Sequence, residues 1–152
     1  MGCWGITALE SDNGLDAVRC VRYNLPADGQ LDLGEMLERL KKDRWNAPCD
    51  VKLGCAHTSP MALAEIIVKY LDGDPGSLDY DEEWAAEDNK FRSITSFTAS
   101  RSSLLELRDY LADTLKYARI RAKQQIKAGE LPGGWFDPKD WDRWQEHMEG
   151  LI

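Results

Sequence analysis

The chain has 152 residues, 43% of them hydrophobic and 30% charged, with 27 acidic against 19 basic side chains and a formal net charge of -8. These values exclude a disordered or fibrous chain and supply enough apolar material for one core, so a single domain over residues 1–152 is expected. The acidity repels nucleic-acid phosphates and anionic lipid, which makes nucleic acid an unlikely partner, and it favours encounter with basic proteins.

The N-terminus lacks both a basic region and a long apolar stretch, so it does not read as a secretory signal and the cytoplasm is the expected compartment. Gly2 and Cys3 raise the question of acylation, but Ile6 stands where a myristoylation pattern wants Ser or Thr. The longest unbroken apolar run, Met61 to Ala64, is far short of the roughly 20 residues that span a bilayer. Cys3, Cys20, Cys49 and Cys55 are expected to be reduced thiols, because a chain with a full core needs no disulfide staples.

In chain order, the polar cluster Ser11-Asp12-Asn13-Gly14 is a turn, and the spacing of Leu15, Val18, Val21 and Leu25 predicts a first helix over 14–24 that ends before Pro26. Asn13 and Asp16 resemble a capping box at its start. Leu33, Met36, Leu37 and Leu40 mark a second helix ending near Trp45. Val51, Leu53 and Cys55 alternate as a short strand would; residues 49–57 and 91–98 are the candidates for a small sheet, and the fold has room for a minor short β-hairpin. A third helix opens at Ser59-Pro60 with a stripe of Leu63, Ile66, Ile67, Tyr70 and Leu71, and stops at Gly73. Residues 72–88 hold eight acidic side chains and no basic one, and read as a loop. The row Leu104, Leu107, Leu111, Leu115, Ala118, Ala122 and Ile126 then predicts a long central helix over about 102–128, with Gly129 as its stop. Asp137-Pro138 starts a last helix carrying Trp141, Trp144 and Met148 on one face. The expected fold is all-α or mostly α, about five helices around one core.

Chemistry has few footholds. Cys49, Cys55 and His57 are the weak metal candidates, but their C-x5-C-x-H spacing departs from structural zinc patterns and no fourth ligand stands nearby. The stretch from Asp72 to Glu83 superficially follows a calcium loop, yet Ser77 stands where the sharp turn requires Gly. His57 and His147 are the only histidines; each reads as a structural residue rather than a base. Neither a phosphate-binding loop nor a dinucleotide fingerprint is present, so no catalytic residue and no cofactor is expected. Lys116, Arg119, Arg121, Lys123 and Lys127 gather in the second half of the long helix, where cations complement the helix dipole; the same patch could dock the acidic loop, residues 72–88, of a second copy. Trp135, Phe136, Trp141 and Trp144 form an aromatic cluster suited to core or to an interface.

The opening Met1-Gly2-Cys3-Trp4-Gly5, followed by Asp12-Asn13-Gly14-Leu15, resembles the start of a bacterial family of unknown function whose members begin Met-Gly-x-Trp-Gly with an Asp-Asn or Asp-Asp turn ahead of a helix. The likeness covers about the first 25 residues and implies a bacterial source; no activity comes with it. Trp4, flanked by Gly2 and Gly5, reads as an apolar plug anchoring the N-terminus.

The expected function is a non-catalytic protein–protein interaction domain, an acidic immunity or inhibitor protein that meets a basic partner. Its candidate contacts are Asp79, Tyr80, Asp81, Glu82, Glu83 and Trp84 on the acidic loop, with Trp141 and Trp144. The alternative is a small-ligand-binding protein or enzyme with a pocket near Cys55 and His57.

Overall fold

Carboxylates and hydroxyls organise the start of the chain before any helix forms. In the computed structural model, which describes residues 4–26, 28–48, 50–53, 59–78, 91–132 and 136–152, the Glu10 carboxylate accepts the backbone N–H groups of Ile6 and Thr7, each at 3.0 Å. This closes a 3-10 turn at Ala8–Glu10. The Ser11 hydroxyl then donates to the Ala8 carbonyl at 2.9 Å and accepts from the Gly14 N–H at 3.1 Å, so Ser11 caps the first helix, α1 (Asp12–Tyr23). The helix therefore begins two residues before its expected start, because Ser11 rather than Asn13 takes the orphan N–H. Gly14 is obligatory here, since a Cβ at that position would lie 1.6 Å from the Ala8 carbonyl oxygen. Trp4 does not plug the core: it is 60% exposed, and the close approach is made by Gly5, whose Cβ position lies 2.2 Å from the Glu10 carboxyl carbon.

After α1 the chain turns through Gly29, at φ +73°, into strand β1 (Gln30–Asp32). Its partner is β2 (Ser96–Thr98), parallel and in register Gln30 to Ser96, Leu31 to Phe97 and Asp32 to Thr98. The sheet is thus a parallel pair from distant segments, not the expected hairpin. Residues 96–98 do form a strand, but Val51–Leu53 are a 3-10 turn, with the Val51 carbonyl held by the Arg121 guanidinium at 3.1 Å. Asp32 leaves β1 and at once caps α2 (Leu33–Lys42) by accepting the Glu35 N–H at 2.9 Å. Helix α2 buries Leu33, Met36, Leu37 and Leu40 and ends three residues short of Trp45, because the Asp43 carboxylate captures the N–H groups that follow.

Helix α3 (Ser59–Leu71) is buried along its whole first half, Ser59 to Ile66. Of its expected stripe Leu63 and Ile66 are buried, Ile67 and Tyr70 half-buried, and Leu71 is 72% exposed, since it sits past the edge of the core. The stop at Gly73 is a left-handed turn in which the Gly73 and Asp74 N–H groups bond back to Tyr70 and Lys69. The same device at Gly129 ends α4 (Arg101–Lys127), whose start is capped by Ser100. Helix α4 buries Leu107, Leu111, Leu115, Ala118 and Ala122, while Leu104 and Ile126 project beyond the core at its two ends. Last, α5 (Trp141–Leu151) buries Trp144 and Met148. The fold is mostly α, and one buried cluster draws residues from all five helices. No helix among the described residues is long and apolar enough to cross a membrane.

Candidate partner-binding surface

The residues singled out from the sequence divide sharply. Asp79, Tyr80, Asp81, Glu82, Glu83 and Trp84 lie outside the described residues, as do Cys49, Cys55 and His57. Trp141 and Trp144 stack with Phe136, at ring separations of 6.2 and 4.8 Å from it. Trp144 is 2% exposed, so its ring belongs to the core, and Trp141 is half-buried at the margin. Among the described residues the buried Trp144 indole N–H has no hydrogen-bond partner.

His147 serves as a clip. Its Nε2 meets Oε1 of Glu65, a buried carboxylate on α3, while Glu65 Oε2 accepts the Leu9 N–H at 3.3 Å, so three elements are tied at one point. Of the five cations in the second half of α4, Arg119 binds Gln145 and Glu149 of α5, and Arg121 holds Val51; Lys116, Lys123 and Lys127 stay exposed. No cluster of three metal-ligating side chains exists among the described residues.

The surface best built for contact is the turn after α2, which sequence reasoning passed over. Asp43 Oδ1 accepts the N–H of Trp45 and of Asn46, each at 2.9 Å, and the Asn46 side-chain amide at 3.0 Å. The Trp45 N–H above all holds the Asp43 carboxyl below its ordinary range, against an opposing desolvation by burial and with help from Asn46. This pinned turn presents Trp45 at 76% exposure beside Tyr23 of α1 at 73%, and the Arg44 guanidinium lies 5.4 Å from the Trp45 ring. Between the two rings opens a cleft of about 380 Å³, also lined by Asp16, Arg19, Cys20 and Asn24. Burial, and then the Asp43 charge, push the Cys20 thiol up to about 11, so it is a neutral thiol at pH 7 and not a nucleophile.

On its other side the same turn borders a second cleft, of about 530 Å³. Its apolar walls are Leu37, Ala47, Pro48, Pro60 and Leu107, and its rim carries Glu106, Asp109 and Asp113 of α4. These acids fall at spacings of three and four, which puts them along one side of the helix. Lys41 is anchored at the rim by Glu106 and by Glu38, the latter at 2.9 Å, and Glu106 first among them raises the Lys41 pKa. The turn 43–48 is therefore a ridge between an aromatic cleft and an acid-rimmed apolar one. No family model, no curated protein and no solved structure matches the chain.

The signal for Trp45 was present in Lys41-Lys42-Asp43-Arg44-Trp45-Asn46: a large apolar ring set in a polar turn with no apolar neighbour to bury it. The acids of α4 were equally readable, on the side of the helix away from the leucine row.

Proposed function

We propose that this chain is a non-catalytic binding protein for a basic protein partner, in the manner of an acidic immunity or inhibitor protein, and that the ridge around Trp45 is its contact surface. One observation carries the reading: two aromatic rings more than 70% exposed line one cleft, and the turn that bears one of them, pinned by three hydrogen bonds, borders on its other side an apolar cleft rimmed by three carboxylates. Tryptophan and tyrosine supply desolvated contact at low entropic cost, while clustered acids steer a basic partner and fix its register. Because the aromatic turn is held in place before contact, little ordering has to occur on binding.

The test is affinity capture from a low-salt extract with the wild-type chain, Trp45→Ala and the triple variant Glu106→Gln/Asp109→Asn/Asp113→Asn. A basic protein retained by the wild type should be lost from both variants, with Trp45→Ala weakening the isolated complex by about 30-fold or more, the scale of a 2 kcal/mol hot spot. Equal capture by all three chains would refute this surface. The alternative of a small-ligand site or enzyme draws on the fact that Pro48 and Pro60, which line the larger cleft, flank Cys49, Cys55 and His57 in the chain. It requires saturable thermal stabilisation by a small molecule that Cys55→Ala or His57→Ala abolishes.

A further inference from the structure

The outward face of α4 is self-complementary. Glu106, Asp109 and Asp113 occupy its first half, Lys116, Lys123 and Lys127 its second, and all six are exposed. With Ile120 between Lys116 and Lys123 they recur at alternating spacings of three and four, which on a helix is one straight stripe opposite the buried row. Charge therefore reverses sign once, near Thr114. Asp113, Lys123 and Lys127 make no ion pair among the described residues.

We infer that the chain forms a two-fold dimer by antiparallel pairing of α4 with α4 of a second copy. A two-fold axis beside Thr114 and Leu115 would set Asp113 against Lys116 of the partner subunit and Glu106 against Lys123 of the partner subunit, with Asp109 facing Ile120 of the partner subunit. Each contact occurs twice, as an isologous interface requires. Parallel pairing would oppose acid to acid and base to base, so the sign reversal selects the antiparallel arrangement as well as favouring it. Each copy carries a net charge of -8, so attraction has to come from local complementarity at contact distance rather than from the overall field. Exposed pairs of this kind contribute little singly, and the dimer is accordingly weak and concentration-dependent.

The inference shares the acidic rim with the partner-binding reading but does not rest on it: Trp45→Ala should leave self-association intact. The decisive experiment is sedimentation velocity over a concentration series on three chains: the wild type, a basic-shifted variant Glu106→Lys/Asp113→Lys, and an acidic-shifted variant Lys116→Glu/Lys123→Glu. Circular dichroism on each confirms that the substitutions, all on exposed positions, leave the fold unchanged. The wild type should pass from one to two chain masses as concentration rises, each variant alone should stay at one, and an equimolar mixture of the two variants should recover two. A wild type that remains at one mass at its highest soluble concentration would overturn the dimer. So would variants that still self-associate, or a mixture that does not.

Discussion

Two turns of this chain are built by the same device and put to opposite use. Around Glu10 and around Asp43 a single carboxylate gathers successive backbone N–H groups and fixes the path of the chain. The Glu10 turn is packed so closely that a Cβ on Gly5 would meet the Glu10 carboxylate and one on Gly14 the Ala8 carbonyl. The Asp43 turn is tied back to α3 at one end, where the Asn46 carbonyl accepts the Ser59 hydroxyl at 2.6 Å, but clefts flank it and Trp45 stands in solvent. A pinned carboxylate turn is thus rigid in both places, but only the second leaves a side chain free to meet another molecule. Rigidity and burial are separable, and their separation is what singles out the proposed contact surface.

The comparison breaks if the two turns respond alike to substitution. Gly14→Ala should produce the largest effect, about 4 kcal/mol or more, read from the denaturant midpoint, because backbone has to move to admit the methyl group. Glu10→Gln should cost about 1–2 kcal/mol at neutral pH. Glu10 also sharpens the pH behaviour. The Thr7 N–H, ahead of all other contacts, holds its carboxyl below the ordinary 4.5, so its stabilisation is complete above 4.5 and is lost as pH falls through the lower folded value. Glu10→Gln should flatten that part of the acid limb, measured by thermal melts between neutral and strongly acidic pH.

Asp43→Ala should cost about 1 kcal/mol, since the freed N–H groups are near enough to the surface for water to replace the carboxylate. It should also lower the Cys20 thiol from about 11, because the Asp43 charge is one of the groups that raise it; a pH series of thiol alkylation rates reads this directly. Smallest of all, Trp45→Ala should change stability by less than about 0.5 kcal/mol, as a ring largely in water has little burial to lose. A large loss there would place Trp45 with Gly14 as a structural residue and remove the contrast between the turns.

Much of the helical frame was legible because its signals are local. Gly73, Asp137-Pro138 and Gly129 mark helix ends through capping and left-handed turns that need only neighbouring residues, whereas the Ser59 hydroxyl donates to the Asn46 carbonyl, 13 residues away in the chain. The leucine row of α4 was read correctly in its middle, but Leu104 and Ile126 are exposed, since periodicity reports a face and not how far the core extends beneath it. The parallel strands were out of reach: three residues each carry no pattern, and each strand's partner lies 66 residues away in the chain. The proposed contact surface was half visible. Its acids follow from the helical spacing of α4, whereas Trp45 was hidden by assigning it to the end of α2, a boundary that the Asp43 side chain moves.

The small parallel sheet also bears on the order in which the molecule assembles. Its two strands lie 66 residues apart, and bringing the ends of a flexible loop that long together costs about 3.7 kcal/mol beyond a constant, more than six backbone residues in a ladder return by themselves. The strands should therefore meet only after helices between them have packed and shortened the gap. Such a late contact is absent when the rate-limiting barrier is crossed, so weakening it at Leu31 or Phe97 should hasten unfolding and leave the folding rate nearly untouched. The feature that contributes least to the architecture by size thereby acts on how long the native state lasts once formed, and not on how fast it forms.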